Sequence, residues 1–240
     1  MTEKKADEKI RKELFYQRKN GYELIGVDEQ VAVEDYCGQY MAYLNASRTE
    51  REAVVNAVNE AREQGFEEYK RGMKLAPGSK IYYINRGKAL ILAVMGEKPL
   101  SEGCVIAGAH VDAPRLDLKQ IPMYESDELA YFRTHYYGGI KKYQWVTIPL
   151  ELHGVVSLKN GENVEVVIGR DPGDPRFVIT DLLPHLAQEQ MKKTLAEGIT
   201  GEGLSILIGS VPYDDGGKDK VKLAVMSILN DSYGITEEDF

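Results

Sequence analysis

The stretch 103-GCVIAGAHVDAPRLDLK-119 decides how the rest of the chain is read. Its first half is an apolar run rich in small residues, the texture of a strand buried on both faces of a sheet. Helical patterns precede it, so the order predicts an α/β layer structure. His110 then falls at the carboxyl end of a central strand, where open α/β sheets gather their ligands. Residues two apart on a strand share a face, so His110 and Asp112 project together. A metal-bound imidazole commonly donates its second ring N–H to a carboxylate, which fixes the tautomer and raises its basicity. Pro114 helps end the strand and leaves both groups at its tip. The bare H-x-D spacing is short, and with four histidines in the chain an accidental instance is ordinary.

Upstream, residues 30–46 place Val33, Cys37, Tyr40, Met41 and Leu44 at helical spacing. In 47-SRTEREAVVNAVNEAREQG-65, Thr49 and Glu52 form a capping-box pair, Val54, Ala57, Val58 and Ala61 a stripe, and Gly65 a stop. The segment 80-KIYYINRGKALILAVMG-96 reads as two strands joined at Asn85-Arg86-Gly87.

Downstream, 126-SDELAYFRTHYYGGIKKYQW-145 is aromatic and polar, broken at Gly138-Gly139, and reads as a long loop. The segment 146–169 alternates through Val146, Ile148, Leu150 and Leu152 and turns at Asn160-Gly161, which predicts a β-hairpin. A helix is expected from about Thr180 to Gly198, with Pro184 in its first turns. A strand follows in 203-GLSILIGSVP-212, then a turn through Asp214-Asp215-Gly216-Gly217. A closing helix carries Val221, Val225, Ile228 and Leu229. The pattern divides into a lobe over 1–115, a β-richer lobe over 116–232, and a short tail over 233–240.

The totals exclude several classes. Thirty basic against 38 acidic residues give a net charge of −8, which lacks the basic face that nucleic acid or an anionic membrane requires. No apolar run approaches the ~20 residues that span a bilayer, and the charged N-terminus lacks the apolar core of a signal peptide. Two cysteines, Cys37 and Cys104, without C-x-x-C spacing suit a reduced, cytoplasmic protein. There is no G-x-S-x-G, P-loop or H-E-x-x-H.

Other polar groups have plain readings. His135 is expected in loop packing. His153 is expected on the polar side of its strand, solvated or paired with a neighbour. His185 follows Pro184 near a helix start, where the positive helix end disfavours the imidazolium. Asp171-Pro172-Gly173-Asp174-Pro175 is turn chemistry, and Asp214-Asp215-Gly216-Gly217 lacks the ligand spacing of a calcium loop.

The segment 109-AHVDAPRLDLK-119 resembles the Ser/Ala-His-x-Asp-Ser/Ala-Pro-x-Leu-x-x-Lys signature of the M18 metallo-aminopeptidases, the aspartyl-aminopeptidase type. Its matching positions are His110, Asp112, Ala113, Pro114, Leu116 and Lys119. The paired helices, 136-YYGGIKKYQW-145, the hairpin and 182-LLPHLA-187 occur in the order of that family.

This resemblance implies the N-terminal part of a zinc-exopeptidase α/β sheet domain, followed by a β-rich inserted oligomerisation domain. It implies a zinc-dependent enzyme that removes N-terminal residues, acidic ones for many relatives, from peptides. Two zinc ions are expected in the complete enzyme, with other divalent metals as alternatives. His110 would be a metal ligand, Asp112 its supporting carboxylate, and His185 a substrate contact across a subunit interface of a homo-oligomer, a dodecamer in the family. The family's remaining ligands and general base lie downstream, so residues 1–240 alone are expected to be inactive. The alternative is a non-catalytic assembly module derived from such an enzyme.

Overall fold

Local sequence signals build the first elements. The structure, a computed structural model, describes residues 10–214 and 216–240. The start of the charged N-terminus and Asp215 of the acidic turn lie outside these residues. Contacts divide the chain into two compact units, residues 1–47 and 48–240. The first contains α1 (Val27–Ala46), a helix on which Tyr36 and Tyr40 stack one turn apart with ring centroids at 6.5 Å.

The second unit opens with α2 (Glu50–Glu63). Its capping box forms as the spacing predicts: Glu52 N donates to Thr49 Oγ1 at 3.2 Å, and Thr49 N to Glu52 Oε2 at 2.9 Å. The stripe Ala53, Val54, Val58 and Ala61 is buried. Val54 and Val58 meet Tyr82, flanked by Phe66, Ile84 and Leu90. Tyr82 belongs to β2 (Lys80–Asn85), which pairs antiparallel with β3 (Ala89–Val94). The two-residue β1 (Glu67–Glu68) adds in parallel to β2. Arg86 and Gly87, with φ of 54° and 66°, make the expected turn.

The expected buried strand at 103–111 does not form. Residues 103–114 carry no regular structure, and Val105 and Ile106 are exposed. A strand that is apolar on both faces is stable only between neighbours that complete its hydrogen bonds. Among the described residues no segment pairs with it.

The expected loop after Ser126 is instead a strand. β4 (Arg115–Ser126) and β5 (Leu129–Tyr137) form a long antiparallel hairpin. Its two-residue turn, Asp127-Glu128, has φ of 52° and 60°, the left-handed pair of a type I′ turn. The ladder shifts register between Leu118 and Met123, around Ile121 (φ 47°) and the buried Pro122. Proline cannot donate to a ladder, so this bulge is where it fits. β9 (Ile206–Gly209) pairs with β5, and β8 (Val178–Ile179) with β9, giving the order β4-β5-β9-β8.

The hairpin of β6 (Leu152–Ser157) and β7 (Asn163–Ile168) forms around the expected turn, with Gly161 at φ 90°, but its first strand starts only at Leu152: Val146 and Ile148 lie in a turn before it, and Leu150 makes an isolated bridge to Phe177. The α-helices also include the one-turn α3 (Lys142–Trp145). The single long helix expected over 180–198 is replaced by two four-residue turns, α4 (Gln188–Met191) and α5 (Leu195–Gly198). Pro184 removes an amide donor and steers Leu183 away from helical angles. The closing helix α6 (Lys220–Tyr233) forms and stops at Gly234, φ 68°.

The main core joins these pieces through Met123, Phe132, Val166, Ile179, Leu204, Ile206, Leu229 and Ile235, all buried. Phe240 meets Phe132 edge-on at 6.3 Å. Gly209 admits α6 against the sheet, since a Cβ there would lie 2.6 Å from Val225 Cγ2.

Candidate metal centre

His110 and Asp112 lie on the segment that leads from 103 into β4. The imidazole Nδ1 is 3.0 Å from Asp112 Oδ1 and 2.8 Å from the Asp112 carbonyl oxygen. Both oxygens can only accept, so Nδ1 carries a proton towards them, and Nε2 is the ring nitrogen left to face a metal. The His110 side chain is 82% exposed. A histidine anchored at Nδ1 with Nε2 accessible fits the histidine half of a zinc site. Among the described residues no group of three His, Cys, Asp or Glu side chains is placed to hold a metal ion.

The structure adds a third residue, Tyr137 at the end of β5, whose hydroxyl donates to Asp112 Oδ2 at 2.6 Å. This bond is the main reason the Asp112 carboxyl is held below its ordinary range, and it pushes the Tyr137 phenol up. Arg115 lies over the Tyr137 ring, 4.2 Å from its centroid, and its Nε donates to Asp117 Oδ1 at 2.7 Å. Sequence reading missed Tyr137 because the hairpin that carries it was read as a loop. The register Arg115↔Tyr137 brings it beside the motif.

The other histidines sit apart from this pair. His135 is exposed on β5 and stacks with Tyr136 at 5.6 Å. His185 is exposed in the turn before α4, not on a helix start. His153 is paired, as one reading of its strand position allowed, and only 6% of its side chain is exposed. Its Nδ1 is 3.0 Å from Glu52 Oε1 and its Nε2 2.9 Å from Glu151 Oε2. Arg170 Nη2 donates to the same Glu52 oxygen at 2.8 Å. This cluster pins the start of α2 to the β6–β7 hairpin.

The acidic turn 171–175 serves structure. Asp174 Oδ2 accepts from the amides of Gly169 at 2.9 Å and Asp171 at 3.1 Å, bonds that hold its carboxyl below the usual range. Lys119, the last residue of the motif, donates to both Glu202 oxygens at 2.8 Å. A cavity of about 770 Å³ runs between the start of α2 and strands β4 and β6. Its lining includes Arg115, Asp117 and His153 but neither His110 nor Asp112.

A histidine oriented by a carboxylate at the end of an apolar run is a feature of metallohydrolase sites. Residues 43–240 match the family described as aminopeptidase I zinc metalloprotease (M18), and the chain belongs to that family. It is 49% identical over 207 residues to a probable M18 family aminopeptidase 1 of Clostridium acetobutylicum, aligning 84% of this chain with 44% of that protein. The crystal structure of an M18-family aminopeptidase from Thermotoga maritima matches with a TM-score of 0.86 at 39% identity. That match covers 94% of this chain and 49% of that one. The Saccharomyces cerevisiae mApe1 dodecamer shares the fold, with a TM-score of 0.57 at 16% identity over 87% of this chain and 46% of that one. The chain spans about half the length of the curated relatives it matches.

Proposed function

We propose that this chain supplies part of the catalytic centre of a zinc-dependent aminopeptidase that removes N-terminal residues from peptides, acidic residues among them. The observation that carries this reading is the His110–Asp112 pair, with Nδ1 occupied at 3.0 Å and Nε2 free to ligate. His110 would hold a zinc ion, and Asp112 would fix the tautomer in which it does so. Held there, zinc would supply Lewis-acid chemistry towards a carbonyl and a bound water with a pKa lowered towards ~7. The other ligands and the general base are assigned to the part of the relatives that this chain does not cover.

The same proposal places 1–115 in a catalytic lobe, 116–232 in an inserted assembly lobe, and 233–240 at the return to the catalytic lobe. Exposed Leu182, Leu183 and Leu186 around His185 support a homo-oligomer in which His185 contacts substrate bound to a neighbouring subunit. The dodecameric state of the yeast neighbour makes a dodecamer the expected assembly. Two exposed free thiols, Cys37 and Cys104, suit a reducing compartment such as the cytoplasm. No helix among the described residues is long and apolar enough to cross a membrane.

The test joins this chain in cis to the unaligned remainder of the Clostridium relative. The fusion is expected to bind about two zinc ions per chain and to hydrolyse aminoacyl anilides. His110→Ala should lose zinc and activity together. A zinc-free, inactive fusion would overturn the proposal. The second reading, a non-catalytic assembly module, is favoured for the chain alone by the lack of a three-ligand group among the described residues. It predicts the assembly without hydrolysis in either form.

A further inference from the structure

The segment carrying His110 and Asp112 belongs to no ladder, because residues 103–114 have no regular structure. A carboxylate on such a segment rotates freely unless another group holds it. Asp112 is held from the sheet. Tyr137 occupies the last position of β5, and its hydroxyl meets Asp112 Oδ2 at 2.6 Å while Oδ1 faces His110 Nδ1 at 3.0 Å. Each carboxylate oxygen therefore has its own partner.

Tyr137 is itself fixed. Its ring lies against the Arg115 guanidinium at 4.2 Å, and Arg115 is tied to Asp117 at 2.7 Å and to the Ala113 carbonyl at 3.4 Å. The next residue, Gly138 at φ 80°, runs close to Pro114: a Cβ there would meet it at 3.5 Å. The end of β5 and the segment 110–114 thus lie side by side.

We propose that Tyr137 is a positioning residue of the metal centre: its hydroxyl holds the Asp112 carboxylate, which, beside the Asp112 carbonyl oxygen 2.8 Å from the same nitrogen, holds His110 as the Nδ1–H tautomer. The consequence for zinc rests on the function proposed above; the consequence for the tautomer does not. An O–H···O⁻ bond of this length is charge-assisted and stronger than a neutral one. Groups that orient a metal-ligating histidine through its carboxylate typically change metal affinity ten- to a hundredfold. Tyr137 acts through Asp112 and touches neither metal nor substrate.

Tyr137→Phe is the decisive variant, since it keeps the ring and the Arg115 contact and removes only the hydroxyl. In the metal-free 240-residue chain, ring ¹⁵N shifts should report His110 mainly as the Nδ1–H tautomer. Tyr137→Phe should move them towards the mixture of an unconstrained imidazole. In the fusion with the Clostridium remainder, Tyr137→Phe should weaken zinc binding by about ten- to a hundredfold, and by nothing further once Asp112→Ala is present. An unchanged tautomer in Tyr137→Phe, or equal losses with and without Asp112, would overturn the proposal. If the unsubstituted fusion takes up no zinc, the function proposed above fails, and the ring shifts still decide the role of Tyr137.

Discussion

Glu52 shows how one side chain can join distant parts of the sequence. Its Oε2 accepts from the amides of Arg48 and Thr49, each at 2.9 Å, and its Oε1 faces His153 and Arg170. Burial pushes its carboxyl up, but the bonds and charge of His153, with those of Thr49 and Arg170, hold it below its ordinary 4.5. A depressed carboxyl stabilises the fold above the unfolded-state value, and that contribution disappears as pH falls through the folded value. Glu52→Gln should therefore destabilise the chain by about 2 kcal/mol at neutral pH. Thermal midpoints of the two proteins should converge as the pH drops through and below that ordinary value of 4.5; a gap that stays constant across that range would refute the assignment. Thr49→Ala should cost about 1 kcal/mol, read in the same unfolding experiment. The Thr49–Glu52 pair was legible in sequence because capping is decided within four residues. The His153 partnership was only half legible, because it closes across 101 residues and depends on which strand face meets α2.

At the scale of elements, local chemistry separates what could be read from what could not. α2, the β2–β3 turn and the β6–β7 turn carry their own signals, α6 its apolar stripe and the stop at Gly234, and each forms. The β4–β5 hairpin hides its signals. Asp127-Glu128 takes a turn that ordinarily asks for glycine, and the bulge at 119–122 breaks the alternation of β4. Glu128 is exposed at φ 60°, so Glu128→Gly should relieve a left-handed residue and stabilise the chain by about 1 kcal/mol. A lowered midpoint in denaturant would contradict that turn. Gly209 makes the opposite point. A Cβ there meets Val225 at 2.6 Å and Val221 at 3.3 Å, so Gly209→Ala should cost about 1–3 kcal/mol through overpacking. Retained stability would mean that α6 can lift from the sheet without loss. Tyr137 belongs to the same lesson: a candidate site residue stays hidden when the element that delivers it is misread.

Across the whole molecule, the sequence motif and the fold agree on family, and the chain spans about half the length of its curated relatives. The proposed intersubunit role of His185 gives a test at this scale. In the assembled fusion, His185→Ala should lower peptide hydrolysis about tenfold, the loss of one hydrogen bond to a charged group. Zinc content and size-exclusion volume should stay as they were. A change in assembly size instead would make His185 an interface residue. The stretch 103–114 has a further consequence for handling the protein. With Val105 and Ile106 exposed and no ladder formed, its backbone can enter a protease cleft as it stands. Brief digestion should nick the chain here first and leave the four-stranded sheet whole, whereas a chain that has gained strand partners for this stretch should resist. The cleavage rate at these twelve residues therefore measures completion of the sheet without any assay of the metal.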